Sequence, residues 1–227
     1  MTELVSTSAD YAVVEREAPE VLARNLRIAA HLWSSATAFF FAAFLFAYFY
    51  LRSLDSSAVW RPKHVDPSLT LGTLATVALV AAAALLRLGL ADFRAERRPA
   101  WRVKGAFALV LLLATVVLQI GEWSTQGFGP TDGPYASVYL GWTGLLALFV
   151  LGLAYWVETT LATSIRYRNT VRGEAIPEGH ASGDPDRTAP DIENPLSLVG
   201  PELDAVSFFA MFLAGIGVVT WVILYLL

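Results

Sequence analysis

Five long apolar runs constrain the fold more than any other feature of this sequence. A hydrocarbon layer of roughly 30 Å requires about 20 apolar residues in a helix that rises about 1.5 Å per residue. Five stretches meet that length, at about residues 29–51, 70–92, 103–123, 136–161 and 204–227. We therefore expect an all-α integral membrane protein, built as a bundle of five transmembrane helices.

The composition agrees with a membrane protein and excludes several other classes. Hydrophobic residues make up 56% of the 227 residues, which exceeds the apolar share of an ordinary soluble domain. The net charge is -4 and the basic residues form no stripe, so nothing indicates a nucleic-acid partner. The absence of cysteine excludes disulfides, thiolate metal sites, iron–sulfur clusters and cysteine nucleophiles.

Lys and Arg fall unevenly on the segments that connect the runs. Thirteen of the sixteen lie in the N-terminal tail and in or beside the links near 93–102 and 162–203, and the other three are Arg52, Arg61 and Lys63. The positive-inside rule therefore predicts a cytoplasmic N-terminus and a C-terminus outside. The tail lacks the basic and short apolar regions of a signal peptide, so we expect it to remain attached.

These boundaries predict a simple organisation along the chain. We expect a cytoplasmic tail at 1–28, transmembrane helices 1–4 with short links over 29–161, a cytoplasmic loop at 162–203 and transmembrane helix 5 at 204–227. The loop is rich in Pro, Gly and Asp without a periodic apolar face, which is typical of disorder or of a segment that docks on a partner.

Small residues indicate which helices pack against protein. The second run consists largely of Ala, Gly and Thr, which allow close approach of helix backbones, so we expect it to face other helices. In the last run, Gly215 and Gly217 could either break the helix, as in a transporter, or form a close-packing surface.

The three histidines argue against a haem or metal centre held by this chain. His31 starts the first run, His64 lies in a short link and His180 lies in the loop, so no two share a helix. A membrane haem or copper centre usually needs histidines at helical spacing. We expect no catalytic residue, cofactor or metal ligand in this chain.

Few charged residues lie inside the apolar runs, and all of them lie near an interface. Glu122 is near one end of the third run, Glu158 is near the end of the fourth, and Arg87 and Asp92 are near the end of the second. We expect them to snorkel or to pair, and Arg87 with Glu158 is the predicted pair because both lie at the same depth.

Since five runs do not divide into two equal halves, a small-solute transporter is the more distant alternative. A subunit of a larger complex fits better.

Five short motifs occur in a characteristic order along the chain. They are "AYFYLR" (47–52), "VWRPKHVDPSLTLGT" (59–73), "GLADFRAERRPAWRVKGAF" (89–107), "LQIGEW" (118–123) and "DGPYASVYLGWTG" (132–144). In this order they resemble subunit III of the haem-copper respiratory oxidases, the cytochrome c oxidase family, in its five-helix form. The resemblance covers residues 29–227.

The resemblance implies an accessory subunit III without a redox centre. Such a subunit packs against oxidase subunits I and II, supports the stability and proton uptake of catalytic subunit I, and contacts membrane phospholipid, while haems and copper lie in the partner subunits. A quinol oxidase subunit or an accessory protein of nitric oxide reductase is the alternative within the same group. The structural or partner-packing candidates are Arg52, Arg87, Gln119, Glu122, Trp123, Tyr135, Ser137 and Glu158.

The sequence departs from the family at several polar positions. The family's glutamate in the first of these helices falls at Thr37, and two histidines of the fourth helix fall at Leu146 and Phe149. In the last helix the family's Trp-His…Asp…Trp pattern falls at Ala210, Met211, Ala214 and Gly217. The resemblance therefore carries the packing role, and it does not carry a proton-collecting or lipid-cleft role for those positions.

Overall fold

Five long α-helices account for nearly all of the residues that the structure describes. In this computed structural model the described residues are 19–54, 60–61, 65–166 and 196–227. The helices are α1 (Pro19–Ser53), α2 (Leu69–Arg94), α3 (Arg98–Thr125), α4 (Pro134–Arg166) and α5 (Leu196–Trp221), and a π-helical turn follows at Val222–Leu226. Each helix is long and apolar enough to cross a membrane. The predicted all-α, five-helix membrane fold is confirmed, and the chain is a multi-pass membrane protein.

The helices are longer than the apolar runs that predict them. α1 begins at Pro19, inside the predicted tail, while α4 continues to Arg166 and α5 begins at Leu196, both inside the predicted loop. Only the part of a helix within the hydrocarbon must be apolar, and its polar turns can continue into water. The predicted boundaries therefore mark the apolar part of each helix. Residues 1–18 and 167–195 lie outside the described residues.

Two ends of the bundle can be defined from the predicted topology. The predicted outer end holds the C-termini of α1, α3 and α5 and the first turns of α2 and α4. The predicted inner end holds the opposite termini, including the short turn between α2 and α3. An aromatic core that includes Tyr48, Trp60 and Tyr139 fills the outer end, and a largely aliphatic core that includes Leu86, Leu112 and Leu213 fills the rest.

α2 packs closely on its neighbours because many of its side chains are small. It packs mainly on α3 and α5, and its buried face includes Ala75, Ala78, Ala82 and Ala83. This is the protein-facing role that its composition predicts. α1 packs on α5 and α4 and leaves much of its surface exposed.

The glycines of α5 mark a close contact and do not break the helix. The helix runs without interruption through Gly215 and Gly217. A Cβ atom at Gly217 would lie 2.8 Å from Cδ2 of Leu79, whereas one at Gly215 would have nothing within 4 Å. Position 217 therefore requires a glycine, because α2 and α5 approach each other closely there.

Buried polar contacts fix the helices at the inner end. Asp92 of α2 is almost fully buried and forms ion pairs with Lys104 and Arg97, which hold the turn between α2 and α3. Nε1 of the buried Trp101 donates to Oγ of Ser164 at 3.2 Å, which connects α3 to α4. These contacts set the inner frame of the bundle.

Candidate functional site

Glu122 is the most deeply buried acid among the described residues and defines the candidate site. It lies in the last turn of α3 with no exposed surface. Its Oε2 accepts hydrogen bonds from the Tyr225 hydroxyl at 2.7 Å and from Nε2 of Gln119 at 3.1 Å. Gln119 lies three residues earlier on the same helix face, which brings its amide within reach. Oε1 has no hydrogen-bond partner among the described residues.

Tyr225 reaches this carboxyl from the π-helical turn that follows α5. It lies in the π-helical turn at Val222–Leu226, a type of turn that often occurs at functional sites. Its ring packs against Gly72 of α2, where any Cβ atom would overlap the ring. Its hydroxyl is also 3.2 Å from the Tyr139 hydroxyl of α4. One tyrosine therefore links α2, α3, α4 and the end of α5.

Aromatic rings extend the site across the outer end. Tyr48, Trp60, Tyr135, Tyr139 and Tyr225 form a continuous series with centroid separations of 5.2, 5.8, 6.1 and 6.0 Å. The Tyr135 hydroxyl donates to the carbonyl of the residue before Tyr225, which connects α4 to the terminal turn. We call Gln119, Glu122, Tyr135, Tyr139 and Tyr225 the outer polar cluster.

Three further predicted residues border the outer polar cluster. Trp123 donates from Nε1 to Oγ1 of Thr143 at 3.1 Å, a second link from α3 to α4. Ser137 donates to the carbonyls of Pro130 and Gly133 and closes the loop before α4. Arg52 donates to the Tyr48 hydroxyl at 3.3 Å within α1. All three contacts hold the outer ends of the helices in place.

Arg87 and Glu158 lie at the inner end, and their predicted ion pair is wrong. Nη1 of Arg87 is 4.0 Å from Oδ1 of Asp204 on α5, whereas Glu158 is exposed on α4. The reason is that α2 packs on α3 and α5, so the acid nearest to Arg87 comes from α5. Similar depth along two helices is not sufficient for contact.

Three of the five residues of the outer polar cluster were candidates from the sequence, and two were not. Gln119, Glu122 and Tyr135 were candidates, whereas Tyr139 and Tyr225 were not. Tyr139 lies one helical turn after Tyr135 on the same face, which is a usable signal. Tyr225 carries only a weak signal, as a hydroxyl-bearing ring two residues before the end of the last apolar run.

A small cavity adjoins the outer polar cluster. It has a volume of about 30 Å³, and its lining includes Gln119, Tyr225, Thr115, Thr143 and Thr220. Each of these threonine hydroxyls donates to a carbonyl of its own helix, so its remaining capacity is as an acceptor. A space of this size is sufficient for about one ordered water.

Three positions where the family resemblance predicts an acid or a histidine, Thr37, Leu146 and Phe149, hold packed side chains. Thr37 is buried, and its hydroxyl donates to the Trp33 carbonyl at 2.8 Å. The ring of Phe149 lies 6.0 Å from that of Phe41, and Leu146 packs beside the same core. These positions therefore contribute to packing between helices.

The described residues include no group of three or more His, Cys, Asp or Glu side chains that could hold a metal ion. The outer polar cluster holds one carboxyl group with two donors and neighbouring phenols. Because unpaired polar groups are costly inside a membrane, such a cluster ties helices together at a defined register. No protein-family model matches the sequence, and no curated protein matches it either.

Proposed function

We propose that this chain is an accessory subunit III of a haem-copper terminal oxidase in a bacterial cytoplasmic membrane. In this role it carries no redox centre, packs against catalytic subunit I, and supports the stability and proton uptake of the assembly. The observation that carries the proposal is the ordered set of five sequence motifs along a chain with five membrane helices. The identity of the electron donor, cytochrome c or quinol, depends on the partner subunits.

The arrangement of the candidate residues supports a scaffold role. Gln119, Glu122, Trp123 and Tyr135 come from two of these motifs, and their side chains tie α3 to α4 and to the end of α5. A subunit that stabilises a neighbour needs rigid helices more than it needs reactive groups. Internal polar ties between helices provide that rigidity within a membrane.

The exposed faces of the bundle can accommodate a partner. α3 presents Phe107, Val110, Val117 and Ile120, and α1 presents an aromatic face that includes Phe40. In a membrane such faces contact either lipid tails or the side chains of another subunit. Either face is therefore a candidate for the contact with subunit I.

Membrane phospholipid is the second proposed partner. An apolar groove of about 660 Å³ lies between α1, α4 and α5, and its lining includes Trp33, Phe149, Trp156 and Phe209. A lipid acyl chain suits an apolar groove of this kind. The groove has no basic residue in its lining, so the contact that it offers is apolar.

Capture from native membranes tests the proposed role. A tagged full-length chain is purified in mild detergent, and its partners are identified by mass spectrometry with untagged membranes as the control. We expect a haem-copper catalytic polypeptide in a fixed ratio to this chain. Purification of the chain alone, or with a partner set that contains no oxidase subunit, would reject the proposal.

A further inference from the structure

Three arginines converge on a single acid at the inner end of the bundle. Asp204 of α5 lies 3.4 Å from Nη2 of Arg27 on α1, 3.0 Å from Nη2 of Arg94 on α2 and 4.0 Å from Nη1 of Arg87 on α2. The side chains of the three arginines are 68%, 59% and 58% exposed, respectively. The group has a net charge of about +2 and remains accessible from outside the bundle.

One carboxylate cannot satisfy three guanidinium groups. Each guanidinium has five N–H donors in a rigid fork, whereas a carboxylate offers about four acceptor sites. The unused donors on Arg27, Arg87 and Arg94 favour an additional anion with several oxygens. A phosphate group has that chemistry, because guanidinium groups bind it through paired, charge-assisted hydrogen bonds.

A concave pocket provides space for such a group. It has a volume of about 400 Å³, and its charged lining consists of Arg27, Arg94, Arg98, Glu96 and Asp204. The remaining lining is formed by Leu90, Phe93, Gly200 and Pro201. We call this the inner arginine pocket. Since three bases face two acids, with Arg87 beside them, its charge favours an anion.

The apolar part of the lining distinguishes a lipid from a free ion. Leu90 is buried in the core, whereas Phe93 is only partly buried, so a bound group could extend from the charged rim onto the Phe93 ring. A cytoplasmic leaflet rich in anionic lipid attracts basic groups at about 1 kcal/mol per Lys or Arg, and basic pockets between membrane helices bind anionic headgroups.

We propose that the inner arginine pocket binds the phosphate of an anionic phospholipid. The guanidinium groups of Arg27, Arg94 and Arg98 contact the headgroup, Asp204 holds two of these arginines in position, and Phe93 contacts the glycerol region. The pocket shares no lining residue with the apolar groove between α1, α4 and α5. The proposal does not depend on the oxidase role.

Lipid titration of the purified full-length chain tests the site. Binding is followed by native mass spectrometry and by the shift in thermal midpoint, with phosphatidylglycerol, phosphatidylcholine and inorganic phosphate as separate probes. Wild-type protein should bind phosphatidylglycerol and be stabilised by it, and the other two probes should have no such effect. The double variant Arg27→Gln with Arg94→Gln should weaken this binding about 30-fold, because each lost arginine reduces the binding free energy by about 1 kcal/mol.

Two single variants separate binding from folding. Arg98 lies in the pocket without an ion pair to Asp204, so Arg98→Gln should weaken lipid binding about 5-fold and leave the lipid-free thermal midpoint unchanged. Arg166→Gln removes the same charge from an exposed position at the inner end of α4, outside the pocket, and should leave binding unchanged. Equal losses in both variants, or no loss in Arg98→Gln, would overturn the site. Stabilisation by inorganic phosphate equal to that by phosphatidylglycerol would overturn the lipid assignment.

Discussion

The hydrogen bond between Tyr225 and Glu122 should stabilise the bundle measurably. Tyr225→Phe removes only the hydroxyl group, which lies 2.7 Å from Glu122 Oε2. Interhelical hydrogen bonds in membrane proteins contribute about 0.6–1.7 kcal/mol, and bonds to charged groups about 1.5–3 kcal/mol. We therefore expect a loss of about 1–3 kcal/mol in the free energy of unfolding.

Glu122→Leu should cost more, because it removes the acceptor of two donors. The Tyr225 hydroxyl and the Gln119 amide then lose their shared partner, at about 1–3 kcal/mol for each unsatisfied buried group. The expected loss is therefore about 2–6 kcal/mol. The double variant Glu122→Leu with Tyr225→Phe should be less destabilised than the sum of the singles, by about 1–2 kcal/mol.

Reversible unfolding in mixed detergent micelles measures all three variants against the wild type. The matched control is Tyr50→Phe, which removes a hydroxyl from an exposed tyrosine of α1 at the outer end of the bundle. Its effect should stay within about 0.5 kcal/mol. Strict additivity of Glu122→Leu and Tyr225→Phe would show that the two side chains do not interact, and would contradict the geometry of the outer polar cluster.

Three further substitutions test the packing of the bundle, each by the same unfolding measurement. Gly72→Ala should destabilise by about 1–3 kcal/mol because its Cβ atom would overlap the ring of Tyr225, whereas Gly144→Ala, with open space around it, should be neutral or stabilising by up to about 1 kcal/mol. Equal effects at the two glycines would refute the close contact. Ser164→Ala should cost about 1–3 kcal/mol because the indole N–H of buried Trp101 loses its acceptor, and a loss below about 0.5 kcal/mol would argue against that bond.

The five membrane helices were predictable because each has a strong local signal. About 20 apolar residues in sequence favour a membrane helix whatever surrounds them. The first four predicted runs lie within described helices, and the fifth lies within α5 and its π-helical turn apart from residue 227. The extra turns were not predictable in the same way. The residues from Pro19 to Arg27 are polar or mixed, and no hydrophobic run marks where that part of α1 begins.

Contacts within the candidate site were predictable only between residues that are neighbours in sequence. Gln119 and Glu122 lie three residues apart on one helix, so their contact follows from helix geometry. Tyr225 lies 103 residues after Glu122, and its position depends on how α5 packs and on the π-helical turn at its end. The pairing of Arg87 with Asp204 has the same origin, since it depends on which helix packs beside α2.

The reduced-minus-oxidised absorption spectrum of the captured assembly, compared with that of the chain expressed alone, tests the central claim most directly. A metal-free scaffold beside a metalloprotein predicts haem bands in the assembly and none in the isolated chain. Haem bands in the isolated chain, or an assembly without haem, would contradict the account.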